Sequence, residues 1–141
     1  MNTFIKAGVI GGLALIVTIA AQPLIASSTE AAGKSNWKIG RVYNRLVCNA
    51  CHRLDGGTVT SPYDRKKAEW SAYFKADQHA KGGTVNSSAK YYASQEYRSS
   101  IQKENKAAAK FLKVPSEEMM AHVIEFYIHG AKDSDTPARC Q

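Results

Sequence analysis

The chain has 141 residues, 22% of them charged, with 19 Lys and Arg against 12 Asp and Glu and a formal net charge of +7. That length fits one domain, and no repeat or low-complexity segment divides it. The basic side chains are scattered, from Lys34, Lys38 and Arg41 to Lys106, Lys110 and Lys113; no segment resembles a nucleic-acid module, and such a surface instead solvates the chain and speeds salt-dependent encounters with acidic partners.

Residues 1–28 read as an export signal. After Lys6 no charge appears until Glu30, and the run AGVIGGLALIVTIAAQPLIA (7–26) is apolar and small, the pattern of a basic start followed by an apolar core. Ala26-Ser27-Ser28 offers small residues for cleavage after Ser28, and other sites follow up to Ala32. The competing reading is an uncleaved membrane anchor, because the run approaches the roughly 20 apolar residues of a spanning helix. Gln22, Pro23 and the Ser/Thr tail favour cleavage, and no cysteine is present here for lipid attachment. The expected location is periplasmic or extracellular, with one domain over 29–141 ending in an irregular tail, 131–141.

The rest of the chain reads as all-α. A helix is expected over 35–51, with Trp37, Ile39, Val42 and Leu46 as its apolar stripe. DGGTVTSP (55–62) is a loop. Ser61-Pro62-Tyr63-Asp64 is a capped helix start, opening a helix that carries Trp70, Tyr73 and Phe74 and stops near Asp77. A second loop with Gly82-Gly83 precedes a long helical stretch, 88–112, containing Tyr91, Tyr92, Tyr97, Ile101 and Phe111. Pro115-Ser116-Glu117-Glu118 starts a last helix, 117–129, ending at Gly130. Its apolar stripe is Met119, Val123, Phe126 and Tyr127, with Met120 and Ile124 beside it and His122 expected at the surface.

The chemistry lies in Cys48-Asn49-Ala50-Cys51-His52. A zinc site needs about four ligands, and no second Cys/His pair is present. A thioredoxin-like motif needs a strand leading into a helix that begins at the first cysteine, whereas a helix precedes this one. The third chemistry is covalent haem: C-x-x-C-H lets two thiols join the two vinyl groups of one porphyrin, and the helical backbone presents the next residue, His52, as an axial ligand. One covalent haem c is the expected cofactor, and it adds core to a small exported chain.

Residues 40–52, GRVYNRLVCNACH, resemble the first helix and haem motif of class I monohaem cytochromes c, with Gly40 eight residues before Cys48. SEEMMAHVIEFYIHG (116–130) is similar to that family's C-terminal helix, which crosses the first at a close-packed point. The resemblance implies a small all-α, cytochrome c-like fold in which the N- and C-terminal helices pack together through Val123, Phe126 and Tyr127. The family takes its sixth ligand from a methionine before the last helix, yet no methionine stands between His52 and Pro115.

His79 is the favoured sixth ligand. Trp70, His79, a Gly-rich stretch and HGAKDSD (129–135) are locally similar to exported dihaem cytochromes c with bis-histidine haems, which implies His79 as distal ligand and Trp70 as haem packing. The second haem motif of that family is missing here. Met119, Met120 and His129 are the alternatives, and an open iron is a further one. Trp70, Tyr73, Phe74 and Phe126 are candidates to wall the haem, and Arg45 and Arg53 to pair with its propionates or simply to be solvated.

The expected function is electron transfer by an exported monohaem cytochrome c, docking transiently with an acidic redox protein. The alternative is a gas-binding or sensor haem protein, or a small peroxide- or nitrogen-oxide-active one, with an open or labile sixth side. Cys140 is left over if Cys48 and Cys51 hold haem, which offers a disulfide-linked homodimer or a free thiol in the tail.

Overall fold

The computed structural model describes residues 35–54, 58–79 and 86–138. The expected export signal, Gly82-Gly83 and Cys140 lie outside the described residues. The described chain is helical, with no strand among those residues, as the apolar spacing implies. No helix among them is long and apolar enough to cross a membrane.

Helix α1 (Trp37–Tyr43) is capped by Asn36, whose side chain accepts the Lys38 N–H at 3.0 Å. It runs into one π-helical turn, Asn44–Cys48, where the Asn49 N–H reaches back to the Asn44 carbonyl, and then into α2 (Asn49–His52). A π turn accommodates one extra residue and rotates the face that follows. The buried face is Gly40, Tyr43, Asn44 and Val47, while Val42 and Leu46 of the expected stripe are 38% and 39% exposed.

The Ser61 capping box forms, with Tyr63 N–H on the Ser61 hydroxyl and Ser61 N–H on the Asp64 carboxylate. It closes only a short 3₁₀ turn, Pro62–Asp64. Helix α3 (Lys67–Ala76) starts later, where the Glu69 carboxylate accepts the Lys66 N–H at 2.7 Å. It ends as expected at Asp77, which adopts the left-handed conformation with φ 52°, a C-terminal stop that Asp tolerates better than most residues.

The expected single helix over 88–112 is instead three short ones: α4 (Ala89–Tyr92), α5 (Gln95–Ile101) and α6 (Lys106–Lys110). Ser94 and Asn105 make the breaks. Each turns its side chain onto backbone N–H groups ahead, Ser94 onto Tyr97 and Asn105 onto Ala107 and Ala108, the local bond that competes with a continuous helix. Fully buried Arg98 ties the ends together, donating to the carbonyls of Ser94, Phe111 and Val114.

Helix α7 (Ser116–His129) crosses α1 at Gly40. A Cβ on Gly40 would lie 2.0 Å from the His122 carbonyl oxygen, so only glycine permits this approach. The crossing also corrects the placement of His122. It is 2% exposed, not at the surface, because the start of α1 covers it, and its Nδ1 accepts the Asn36 N–H at 3.0 Å. Met119, Met120, Val123, Phe126 and Tyr127 of α7 form the core with Tyr43, Val47, Trp70, Phe74 and Tyr97.

Candidate functional site

CNACH spans the end of the π turn and all of α2. Helical geometry sets Cys51 and His52 three and four residues after Cys48, so all three share one side of the turn. Cys51 is exposed and Cys48 partly so. Burial around the Cys48 sulfur nevertheless pushes its pKa up to about 12. A protonated thiol is the opposite of the activated thiolate in a redox C-x-x-C motif.

A buried polar knot holds the chain that follows. Asn44 and Asn49 face Thr60: the Thr60 N–H donates to Asn49 Oδ1 at 3.0 Å, and the Thr60 hydroxyl lies 2.8 Å from the Tyr127 hydroxyl. Tyr127 donates to Asn44 Oδ1 at 2.7 Å. One of the two residues between the cysteines therefore clamps the loop below the motif onto α7, which explains why a polar side chain sits there.

His79 is held from several sides. Its backbone N–H bonds the Ser87 carbonyl. Its Nδ1 lies 2.7 Å from the Tyr73 hydroxyl. Its ring meets Tyr92 edge-on at 4.8 Å. Asp77, two residues earlier, accepts from the Ser88 hydroxyl at 2.8 Å and the Lys90 N–H at 2.9 Å, closing the ends of the intervening loop. So placed, His79 faces His52 with ring centroids 5.6 Å apart and planes at 70°. Burial lowers the pKa of both imidazoles, and the neighbouring His52 lowers that of His79 further. Both shifts favour the neutral imidazole, the form that ligates a metal.

Five tyrosines are within electrostatic reach of the thiols: Tyr43, Tyr73 and Tyr127 of Cys48, Tyr92 of Cys51, and Tyr97 of both. Burial raises the pKa of each, that of Tyr97 to about 12, which favours the neutral phenol. Of these, sequence reading singled out Tyr73 alone for the site. Aromatic residues at helical spacing read first as core, and nothing local distinguishes a side chain that walls a cofactor.

The structure thus brings Cys48, Cys51, His52, Tyr73 and His79 together. Trp70 is buried beside them, its ring edge-on to Tyr73 at 5.7 Å and its Nε1 donating to the Pro62 carbonyl at 2.7 Å; Phe74 stacks on it at 5.9 Å. Phe126 lies at the α1–α7 crossing, its Cβ close to Gly40. His129 is engaged at the far end of α7, stacked on Trp37 at 4.3 Å, with Nε2 3.2 Å from the Thr136 hydroxyl. Met119 and Met120 are buried core side chains. Arg45 and Arg53 are exposed on either side of the motif.

Among the described residues no group of three or more His, Cys, Asp or Glu side chains is placed to hold a metal ion. The donor set that is present, two thiols in one turn with an imidazole adjacent and a second imidazole opposed, fits a covalently attached haem, which needs only two axial ligands from the protein. Comparison with known protein families, with curated proteins and with solved structures yields no match.

Proposed function

We propose that this chain is an exported monohaem cytochrome c that carries single electrons between redox proteins. The observation that carries the reading is the close, edge-on approach of His52 and His79 from separate elements. Two imidazoles on opposite sides of one metal, each with a metal–nitrogen bond of about 2 Å, have centroids roughly 6 Å apart; the separation here is 5.6 Å.

A bound haem would supply a one-electron ferric–ferrous couple, poised lower by two imidazoles than by an imidazole and a thioether. Cys48 and Cys51 would anchor it as thioethers, with His52 and His79 as axial ligands. The protein's own residues orient and shield. The α2 backbone aims His52; the Tyr73 hydroxyl and the Asp77-closed loop aim His79. Trp70, Tyr73 and Phe74, packed on one another beside His79, would line one side of the bound group. Arg45, Arg53 and the wider basic surface favour transient docking to an acidic partner, weakening with salt.

A gas-binding or sensor protein requires a free or easily freed sixth side. The separate restraints on His79 favour the carrier instead.

The test is expression in a host that attaches haem c, followed by a haem stain on a denaturing gel. Wild type should keep its colour through denaturation, and the C48S/C51S variant should lose it. A colourless wild-type protein with two titratable thiols in that host would contradict the reading.

A further inference from the structure

Resting on the reading of His79 as an axial ligand, we propose that Tyr73 is a positioning residue that sets the donor strength of His79, and through it the reduction potential. Tyr73 Oη and His79 Nδ1 are 2.7 Å apart. An imidazole that ligates through Nε2 carries its proton on Nδ1, so the tyrosine oxygen accepts that proton's hydrogen bond. An acceptor on the outer nitrogen fixes the tautomer and ring plane and makes the ligating nitrogen more basic. A more basic ligand stabilises the oxidised state and lowers the potential.

Tyr73 is built to stay in place. Its ring meets Phe74 at 5.1 Å and Trp70 at 5.7 Å, and the Arg65 guanidinium lies over it at 5.6 Å. It belongs to α3, whereas His79 follows α3 on the loop beyond Asp77. The two sides of the site are therefore unlike. His52 is fixed by the helix that carries the cysteines, and His79 by a hydrogen bond from a neighbouring element.

The test compares holoprotein Y73F with Y91F, which removes a tyrosine hydroxyl from the neighbouring helix α4 and leaves Nδ1 bonded. Midpoint potential, ferric EPR and the rate of carbon monoxide binding to the ferrous protein are read for each. Y73F should stay low-spin, shift to a more positive potential and bind carbon monoxide faster, while Y91F keeps the wild-type potential. An unchanged potential in a low-spin Y73F, or an equal shift in Y91F, would overturn the proposal and leave His79 as ligand. A wild-type spectrum without a bis-imidazole signature, unmoved by H79A, would overturn both, and it is read before either tyrosine variant is made. Should Y73F not fold, paramagnetic NMR of the wild type serves: a slowly exchanging His79 Nδ1–H supports the bond, and fast exchange overturns it.

Discussion

His52 and His79 come from separate elements, yet their rings meet edge-on at 5.6 Å with planes 70° apart. Crossed imidazole planes leave the two iron d orbitals that feel them nearly equal in energy. The ferric holoprotein should therefore give a strongly anisotropic low-spin EPR signal. A rhombic signal of the kind given by parallel imidazoles would show that the rings turn on loading.

Gly40 to Ala should destabilise the fold. The new Cβ would meet the His122 carbonyl oxygen at 2.0 Å and Phe126 Cβ at 2.8 Å. Neither is a flexible side-chain end, so the helices must move apart, at a cost of about 1–3 kcal/mol or more. Thermal unfolding followed by circular dichroism checks this.

Asp77 gives a pH dependence. Burial raises its pKa, but hydrogen bonds from the Lys90 backbone and the Ser88 hydroxyl outweigh that and leave it below the ordinary aspartate range. A depressed carboxylate stabilises the folded state above its unfolded pKa and loses that contribution as pH falls through the folded value. The D77N variant, which keeps a side chain suited to φ 52°, should be less stable than wild type at pH 7 by about 1 kcal/mol. The gap should close below about pH 4. Urea titrations of both proteins at pH 7 and pH 3 measure it.

Tyr127 to Phe removes one hydroxyl from the knot below Cys48–His52. Asn44 Oδ1 and the Thr60 hydroxyl each lose a partner 2.7 and 2.8 Å away, while the Thr60 hydroxyl keeps its bonds to Asn44 and Asn49. Losing buried hydrogen bonds of this kind costs about 0.5–1.5 kcal/mol. A urea midpoint within error of wild type would show that the remaining Thr60 bonds suffice.

Arg98 to Lys should be worse than a conservative exchange suggests. The guanidinium serves the carbonyls of Ser94, Phe111 and Val114 while fully buried. One ammonium on a flexible stem does not reproduce that fork, so a loss above about 2 kcal/mol is expected, read from chemical denaturation.

The helical class and the stop at Asp77 were legible from local signals, apolar spacing and a change of composition, whereas the α1–α7 crossing was implied by the family resemblance of residues 40–52 and 116–130. The stripe on the first helix was misread because apolarity alone chose Val42 and Leu46, whereas the face toward the core is Gly40, Tyr43, Asn44 and Val47, half of it glycine and a polar amide. The helix over 88–112 was read as continuous because Ser94 and Asn105 lie among good helix formers. His122 was assigned to the surface because its burial depends on how closely another helix approaches. His79 stood out by elimination among ligands, whereas the tyrosines around the thiols gave no sign beyond ordinary core spacing.

The most direct measurement is the visible and EPR spectrum of the purified holoprotein, ferric and ferrous, with and without carbon monoxide, beside its H79A variant. A low-spin bis-imidazole spectrum, unmoved by carbon monoxide and lost in H79A, is the expected result. A methionine-to-iron charge-transfer band, or a high-spin spectrum that shifts with carbon monoxide in the wild type, would contradict His79 as the ligand opposite His52.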